Sequence, residues 1–552
     1  MSAAPNPSVE AILHAVLPFR YVDHSHADAV VTLTNTPNGP EHIQALYGNR
    51  VVVVPYVMPG FKLARAVWDQ IQGLDWSGIE GLILLNHGVF TFGETAQASY
   101  ARMIKLVSEA EAFLQSHGAW DVLAAAAPQN DVPLHHMAEL RRAVTQRAGA
   151  PMLALLDRSP EAVGFASRPD LKAIAGRGPV TPDHIIRTKR VPVVVSDDPE
   201  ADVARFEEAY MAYVERHTDG SQTSLDPAPR WAIWPGHGVV SFGRTIREAQ
   251  IVADIVRHTW TCIQRAEALG GWRALGAEAL FEMEYWELEQ AKLKRGKQRP
   301  PWSGRIALVT GAASGIGRAT AHHLASLGAA VVAVDIDPKV NEVHAEHPGV
   351  VAQVADLTSS EAVSSIIAEA VVQFGGLDAL VSCAGTFPPS ARLEALDDAL
   401  WERTLAVNVT SHHKVLRAAT PYLARGTDPA VVIVASKNVP APGPGMGAYS
   451  AAKAALTQLG RVAALELGRG GIRVNVVHPN AVFDTGIWDE STIAARAKHY
   501  GLTPEGYRTR NVLGVEIRSE DVATLIETLL GPSFRCTTGA QVPIDGGNER
   551  VI

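Results

Sequence analysis

Tyr449 and Lys453 stand four residues apart in 449-YSAAK-453, a spacing that puts both on one face of a helix. An ammonium beside a phenol stabilises the phenolate and lowers the phenol's pKa. Such a tyrosine can pass a proton to or from an alcohol oxygen near neutral pH. Ser436 closes a strand-like run 13 residues upstream and could hydrogen-bond the same oxygen. Further upstream, 310-TGAASGIG-317 follows another strand-like run and opens a helical one. Gly311 permits a tight turn, while Gly315 and Gly317 let backbone approach a pyrophosphate and let the helix pack on the sheet. The helix N-terminus then favours the phosphate charge. Asp335 closes 331-VVAVD-335, about 20 positions further on. A carboxylate there accepts hydrogen bonds from ribose hydroxyls and repels a 2′-phosphate, which favours NAD over NADP. Asp337 could share that role.

A second set lies near the start. In 21-YVDHSHADAV-30, His24 and His26 would project to one face of a strand. His87, in 86-NHG-88, is expected to end a strand just before a glycine turn and to offer a third imidazole. Three imidazoles with an open position describe a catalytic zinc-type site. The bland alternative is ordinary polar alternation on a strand. Likewise, a YxxxK alone is usually an exposed helix pair; its order after a Gly-rich turn and a strand-end serine separates the two readings.

The elements that must carry these residues fall into two halves. Beyond 291-AKLKRGKQRPPWSG-304, β-branched runs alternate with helical patterns: 305–311, 329–335, 377–385, 430–436 and 472–479. That alternation predicts a parallel sheet with crossover helices, a doubly wound α/β fold. The basic cluster and the Pro-Pro pair predict a linker over 291–302, between domains at 1–290 and 303–552. The first half hides a repeat: 83-ILLNHGVFTFGET-95 matches 233-IWPGHGVVSFGRT-245, with His87 and His237 equivalent. Each copy leads into a helix. Met103, Ile104, Val107, Ala110 and Leu114 are expected on one buried face of the first, and Ile251, Val252, Ile255 and Val256 on one of the second. A duplicated half-domain follows. His237 lacks an HxH companion and is expected to be structural.

Composition limits the function classes. The 552 residues carry a net charge of -9 with no basic block, which argues against nucleic acid and for a small-molecule substrate. Cys262, Cys383 and Cys536 are far apart and form no CxxC, so a reducing cytoplasm is expected. MSAAPNPSVE shows no signal-peptide pattern, and no apolar run is long enough for a membrane span.

Residues 303–552 resemble the short-chain dehydrogenase/reductase family across the whole domain. The matching features are Thr310 to Gly317, Asp335, 355-ADLT-358, 382-SCAG-385, Asn408 in 406-AVNVT-410, Ser436, Tyr449, Lys453 and the ending 538-TGAQVPIDGG-547. The resemblance implies a Rossmann-type fold and reversible hydride transfer between a nicotinamide and an alcohol or carbonyl. It implies Tyr449 as acid/base, Ser436 orienting the substrate oxygen, Lys453 binding ribose and Asn408 supporting a water-linked proton path. Cofactor contacts fall to Thr310, Gly311, Ser314, Gly315, Ile316, Gly317, Asp335, Asp356, Leu357, Ala384, Gly385, Tyr449 and Lys453, with Asp356 at adenine. A dimer or tetramer, hence a homo-oligomer, is implied too. The sequence departs at Ser382, where the family has asparagine, at Asn480, where it has glycine, and at Thr485, one position late. Asn480 is expected to take the left-handed backbone that glycine would.

The first half, through 8-SVEAILHAVLP-18, DHSHADAV, 55-PYVMPG-60 and 85-LNHGVFTFGETA-96, resembles the class II aldolase/adducin family. With 181-TPDHIIRTK-189 and 436-SKN-438, the whole chain is similar to fused aldolase–dehydrogenase proteins associated with rhamnulose-1-phosphate aldolase and lactaldehyde dehydrogenase activities. The resemblance implies His24, His26 and His87 as zinc ligands and Glu10 as acid/base at the carbon next to a metal-bound carbonyl. It also implies a phosphate-holding Gly-Asn-Thr/Ser loop before the SVE motif. Only nine residues precede Glu10, so an aldolase-like α/β domain incomplete at its N-terminus is expected. The leading expectation is an NAD-dependent oxidoreductase for a small hydroxy-carbonyl or sugar-derived substrate, fused to a zinc-binding aldolase-like domain. The alternatives are a bifunctional aldolase–dehydrogenase and a dehydrogenase with a non-catalytic assembly module. Oxidation of an aldehyde would go through its hydrate, since no cysteine nucleophile is expected near the motifs.

Overall fold

Strands β9 (Ile306–Thr310), β10 (Ala330–Asp335), β11 (Val350–Val354), β12 (Ala379–Ser382), β13 (Ala430–Val434), β14 (Arg473–Pro479) and β15 (Gln541–Ile544) form one sheet. Its order is β11-β10-β9-β12-β13-β14-β15, and every registered pair is parallel. This is the doubly wound arrangement expected from the alternation. The structure, a computed structural model, describes residues 8–125, 131–294 and 299–547. Part of the expected linker, residues 295–298, lies outside the described residues.

Side-chain alternation explains why the sheet is buried on both faces. Leu308, Val332, Leu380, Val431 and Val474 meet helices on one face, through Ile366, Val415 and Leu456. Val309, Val331, Val381, Val432 and Val477 meet Ala321, Leu324, Val522 and Ile526 on the other. Two strands, β11 and β15, were not among the runs named from the sequence. Val350–Val354, VVAQV, is a short apolar run that is only half-buried at the sheet edge, and Gln541–Ile544 contains a proline, which suits an edge strand.

Contacts divide the chain into two units. The first comprises Met1–Asp131, Leu156–Phe242 and Ala249–Gln298; the second comprises Val132–Leu155, Gly243–Glu248 and Arg299–Ile552. In the first half of the chain, β1 (Tyr21–Ser25), β2 (Val51–Val54), β3 (Gly81–Leu84) and β4 (Gly88–Gly93) form a sheet of order β1-β4-β3-β2. Strands β5 (Leu153–Asp157), β6 (Val193–Val194), β7 (Trp231–Trp234) and β8 (Gly238–Gly243) form another of order β5-β8-β7-β6. The hairpins β3–β4 and β7–β8 are antiparallel, and β2–β3 and β6–β7 are parallel. The sequence repeat is therefore a repeated fold. The helices after the two hairpins are Ala96–Ser116 and Ile246–Ala268. On the first, Leu106 is buried and Ile104 is exposed, which corrects the expected face. On the second, Val252 and Val256 are buried and Ile251 and Ile255 are partly buried. Among the described residues, no helix is long and apolar enough to cross a membrane.

Candidate functional site

At the end of β9 the chain turns through Gly311, at φ +69°, into the helix Gly315–Ser326. A Cβ on Gly317 would lie 2.0 Å from the Gly311 carbonyl oxygen, so only glycine lets this helix approach its strand. Ser314 is exposed at the N-cap and its side chain makes no capping hydrogen bond. The helix start therefore keeps its amide donors for an anion. Ile316 is half-buried against the core beside the same turn. The Thr310 hydroxyl accepts from the backbone N–H of Cys383 (2.9 Å) and Ala384 (3.1 Å), which ties the SCAG turn to β9. Asp335 accepts from the N–H of Ala313 at 2.9 Å and so stands against the Gly-rich turn. Asp337 is exposed two residues beyond. Asp356 is exposed and accepts from the Thr358 N–H and hydroxyl, which lower its pKa. The Leu357 side chain is in the core, so it offers only backbone to a nucleotide.

The reacting end is built where β12, β13 and two helices meet. A Cβ on Gly385 would fall 2.9 Å from Asn408 Oδ1 and 3.5 Å from Lys453 Nζ, so those two side chains converge on the SCAG turn. Asn408 is fully buried in a π-helical turn, Ala406–Thr410, and bonds the backbone of Thr386 and Thr404. Lys453 Nζ donates to the Val434 carbonyl at 3.0 Å, two residues before Ser436. The Ser436 hydroxyl acts on the Tyr449 phenol by opposing the rise of its pKa, and Phe387 packs edge-on against the Tyr449 ring at 4.8 Å. The Ser436 hydroxyl also accepts from the Asn438 N–H at 3.2 Å.

The electrostatics differ from the expected lowering of the phenol. Burial raises the Tyr449 pKa, and the Ser436 hydroxyl only opposes the rise. Burial also pulls the Lys453 ammonium down to about 8. Lys453 Nζ is 5.9 Å from the Tyr449 ring centroid, so the cost of burying a phenolate exceeds the help from that charge. Cys383 stands beside the motif, but burial pushes its thiol up to about 11, so it is no thiolate nucleophile at neutral pH. At the sixth strand's end the left-handed backbone falls on Ala481, φ +51°, and not on Asn480. Thr485 lies across the Gly-rich turn, its Cγ2 3.0 Å from where a Gly315 Cβ would be.

In the first unit, Glu10 is the N-cap of the short helix Ala11–Val16. His24 lies on β1 and stacks on Phe90 of β4 at 3.9 Å. His26 falls just past the end of β1, and His87 sits in the β3–β4 hairpin turn, three residues past the end of β3 and one before β4, and does not end a strand as expected. The rings nonetheless gather: centroids are 4.8 Å apart for His24–His26, 5.3 Å for His24–His87 and 5.0 Å for His26–His87. A Cβ on Gly88 would sit 2.5 Å from the Ser25 carbonyl oxygen, 3.0 Å from His26 and 3.1 Å from His24, so the hairpin glycine makes room for both rings. His24 Nδ1 bonds the Val89 carbonyl at 3.0 Å, and its buried Nε2 has no hydrogen-bond partner. Burial takes His24 to about 3 and His26 to about 4, which keeps both neutral as metal ligation requires. Glu10 Oε1 stands 3.2 Å from His87 Nε2 and 3.6 Å from His24 Nε2. These donors fit a zinc ion.

Three family models match the chain: "Class II Aldolase and Adducin N-terminal domain" at residues 1–114, "Aldolase class II, second domain" at 132–293 and "Enoyl-(Acyl carrier protein) reductase" at 311–549. The oxidoreductase YuxG of Bacillus subtilis is 30% identical over 580 residues, covering 99% of this chain and 83% of its own. The chain is an oxidoreductase of the fused class II aldolase and short-chain dehydrogenase family. A NAD-dependent oxidoreductase of Mycobacterium tuberculosis is 34% identical over 272 residues, 44% of this chain and 95% of its own. A dehydrogenase/reductase from Sinorhizobium meliloti 1021 superposes with a TM-score of 0.41 at 34% identity, covering 46% of this chain and 98% of that one.

Within the dehydrogenase domain, His412 is the residue that sequence reasoning missed. Its Nδ1 meets the Ser382 hydroxyl and its Nε2 the Ala384 carbonyl, each at 2.7 Å. A carbonyl only accepts, so Nε2 carries the proton and Nδ1 accepts from Ser382. Burial, then the Lys453 charge, takes His412 to about 3, and it stays neutral. This pair braces the strand end where the family has asparagine. The signal was legible: a serine in the asparagine position, and a histidine one helical turn after Asn408. In the aldolase half, the second-copy hairpin sets Gly238 against Asp157 as Gly88 is set against Ser25. Leu156 and Arg158 thus occupy the places of His24 and His26. Burial lowers His237, and Arg158 lowers it further; a cation there repels a metal, which suits a structural His237.

Proposed function

We propose that the chain is an NAD-dependent oxidoreductase for a small hydroxy-carbonyl or sugar-derived substrate, joined to a zinc-binding aldolase-like domain. The convergence of Lys453 and Asn408 on the SCAG turn, with Lys453 bonded two residues before Ser436 and Ser436 acting on Tyr449, carries this reading. The Gly-rich turn and Asp335 would hold NAD, which would supply the hydride acceptor or donor. Ser436 holds the substrate oxygen, and Tyr449 takes or gives the proton there. Lys453 and Asn408 lead that proton away from the buried phenol. Asp335 favours NAD because a 2′-phosphate would meet its charge, and the similar mycobacterial protein is called NAD-dependent. The test is NAD and NADP reduction by the full chain over small polyols, hydroxy-aldehydes and their hydrates. Binding of NAD without turnover of any of them counts against the substrate class. Replacing Asp335 with Ala is expected to weaken NAD about 10- to 100-fold, the loss of a charge-assisted hydrogen bond. Discrimination against NADP should relax with it; titration of both cofactors reads the change.

A second reading adds aldol cleavage, favoured by Glu10 standing between His24 and His87. Zinc would supply Lewis acidity at a substrate carbonyl. Glu10 would move the proton at the adjacent carbon. The double variant His24→Ala/His26→Ala is expected to lose its zinc, measured by metal analysis, while NAD-linked turnover persists. Aldol cleavage that survives zinc removal would exclude this second activity as written.

A further inference from the structure

The segment 181-TPDHIIRTK-189 belongs to the second half of the aldolase region, yet it stands at the histidine centre of the first. His26, Asp183 and His184 present ligand atoms that all lie within 4.8 Å of one another. The Asp183 carboxylate is 3.8 Å from His26 Nδ1 and accepts from the Thr181 hydroxyl at 2.6 Å. The segment is held at both ends. Asn35 donates to the Val180 carbonyl at 2.9 Å. Lys189, at φ +61°, buries its ammonium against the Tyr210 hydroxyl (2.7 Å) and Glu284 (3.1 Å). A non-glycine residue in the left-handed region persists only where its surroundings enforce it.

His24 and His26 would then be backed in the same manner. The rear nitrogen of His24 is occupied by the Val89 carbonyl, which leaves Nε2 for a metal. The rear nitrogen of His26 faces Asp183, which likewise leaves Nε2. A carboxylate behind a metal-ligating imidazole fixes its tautomer and ring orientation and raises its basicity. We propose that Asp183 is the positioning residue for His26 as a zinc ligand, so that the second aldolase half completes the metal centre of the first. This rests on the zinc reading above. Lys189 and Asn35 keep the carboxylate in place, which gives the buried Lys189–Glu284–Tyr210 cluster a role.

The test uses the full chain with Asp183→Ala and Asp183→Asn. Zinc affinity is measured by chelator competition, and the visible spectrum of the cobalt(II)-loaded protein reads ligand geometry. Asp183→Ala is expected to bind zinc about 10- to 100-fold more weakly. Its cobalt spectrum should shift. Asn keeps a carbonyl acceptor for the imidazole N–H and should recover part of both. NAD affinity should not change, which controls for folding; if the Ala variant fails to fold, Asn carries the test. Wild-type zinc affinity and cobalt spectrum in both variants overturn the proposal and leave the zinc reading intact. Binding of two metals per chain, one of them lost with His184→Ala, overturns it by making Asp183 a ligand. A wild-type chain that binds no zinc, or binds it unchanged after His24→Ala, overturns both readings.

Discussion

Replacing Tyr449 with Phe is expected to lower kcat about 100- to 10,000-fold, the contribution of one positioned acid/base. The substitution removes the phenol oxygen and little else. The ring stays buried against Phe387, and Lys453 keeps its bond to the Val434 carbonyl. NAD affinity, measured by fluorescence titration, should therefore change little. The loss should fall on kcat rather than KM, because Ser436 still meets the substrate oxygen in the ground state. The pH profile gives a separate readout. Burial raises the Tyr449 pKa, so alcohol oxidation by the wild type should climb towards alkaline pH as the phenol loses its proton. That climb should vanish in the variant. Unchanged turnover, or a loss confined to KM, would remove Tyr449 from the proton step.

The largest stability effect is expected at Arg141. Its guanidinium grips Asp378 with two bonds, 2.6 and 3.1 Å, and also donates to the Gly304 carbonyl at 3.0 Å. Asp378 further accepts from the N–H of Ile306 (2.8 Å) and Thr427 (2.6 Å). Both side chains are at most 2% exposed. Breaking a buried pair leaves one charge without compensation, so Arg141→Met should cost about 3–5 kcal/mol. Urea unfolding of the full chain measures it. The exposed pair Arg65–Asp69 is the control, where removal should cost under about 0.5 kcal/mol. The same argument bears on truncation. Arg141 belongs to Val132–Leu155, which is counted with the dehydrogenase unit, so a fragment beginning near residue 300 keeps Asp378 and loses its partner. That fragment should unfold at lower urea than the unit does in the full chain. Equal stability would mean that water or rearrangement satisfies Asp378.

Much of the dehydrogenase half was legible because its signals are local. A Gly-rich turn, a strand-end acid and a tyrosine–lysine helix pair each need only a few consecutive residues. Their order along a βα alternation leaves one topology in which they meet at the strand ends. The edge strands β11 and β15 were not singled out: VVAQV is apolar but carries no motif, and Gln541–Ile544 is interrupted by a proline. The repeat was legible as well, since two copies of one hairpin share their glycines and histidines.

By itself the sequence determined the fused family, the doubly wound sheet, the motif order and the three histidines as candidates for one centre. Tertiary structure alone decided what stands next to what. It placed His26 beyond its strand and His87 in a turn, yet closed the three rings around Gly88. It put the left-handed backbone on Ala481, set His412 behind Ser382, and brought Asp183 to His26 and Arg141 to Asp378. It also reversed the expected shift of Tyr449. The reason is the same in each case: burial and long-range pairing depend on residues far apart in the chain, and no local spacing encodes either.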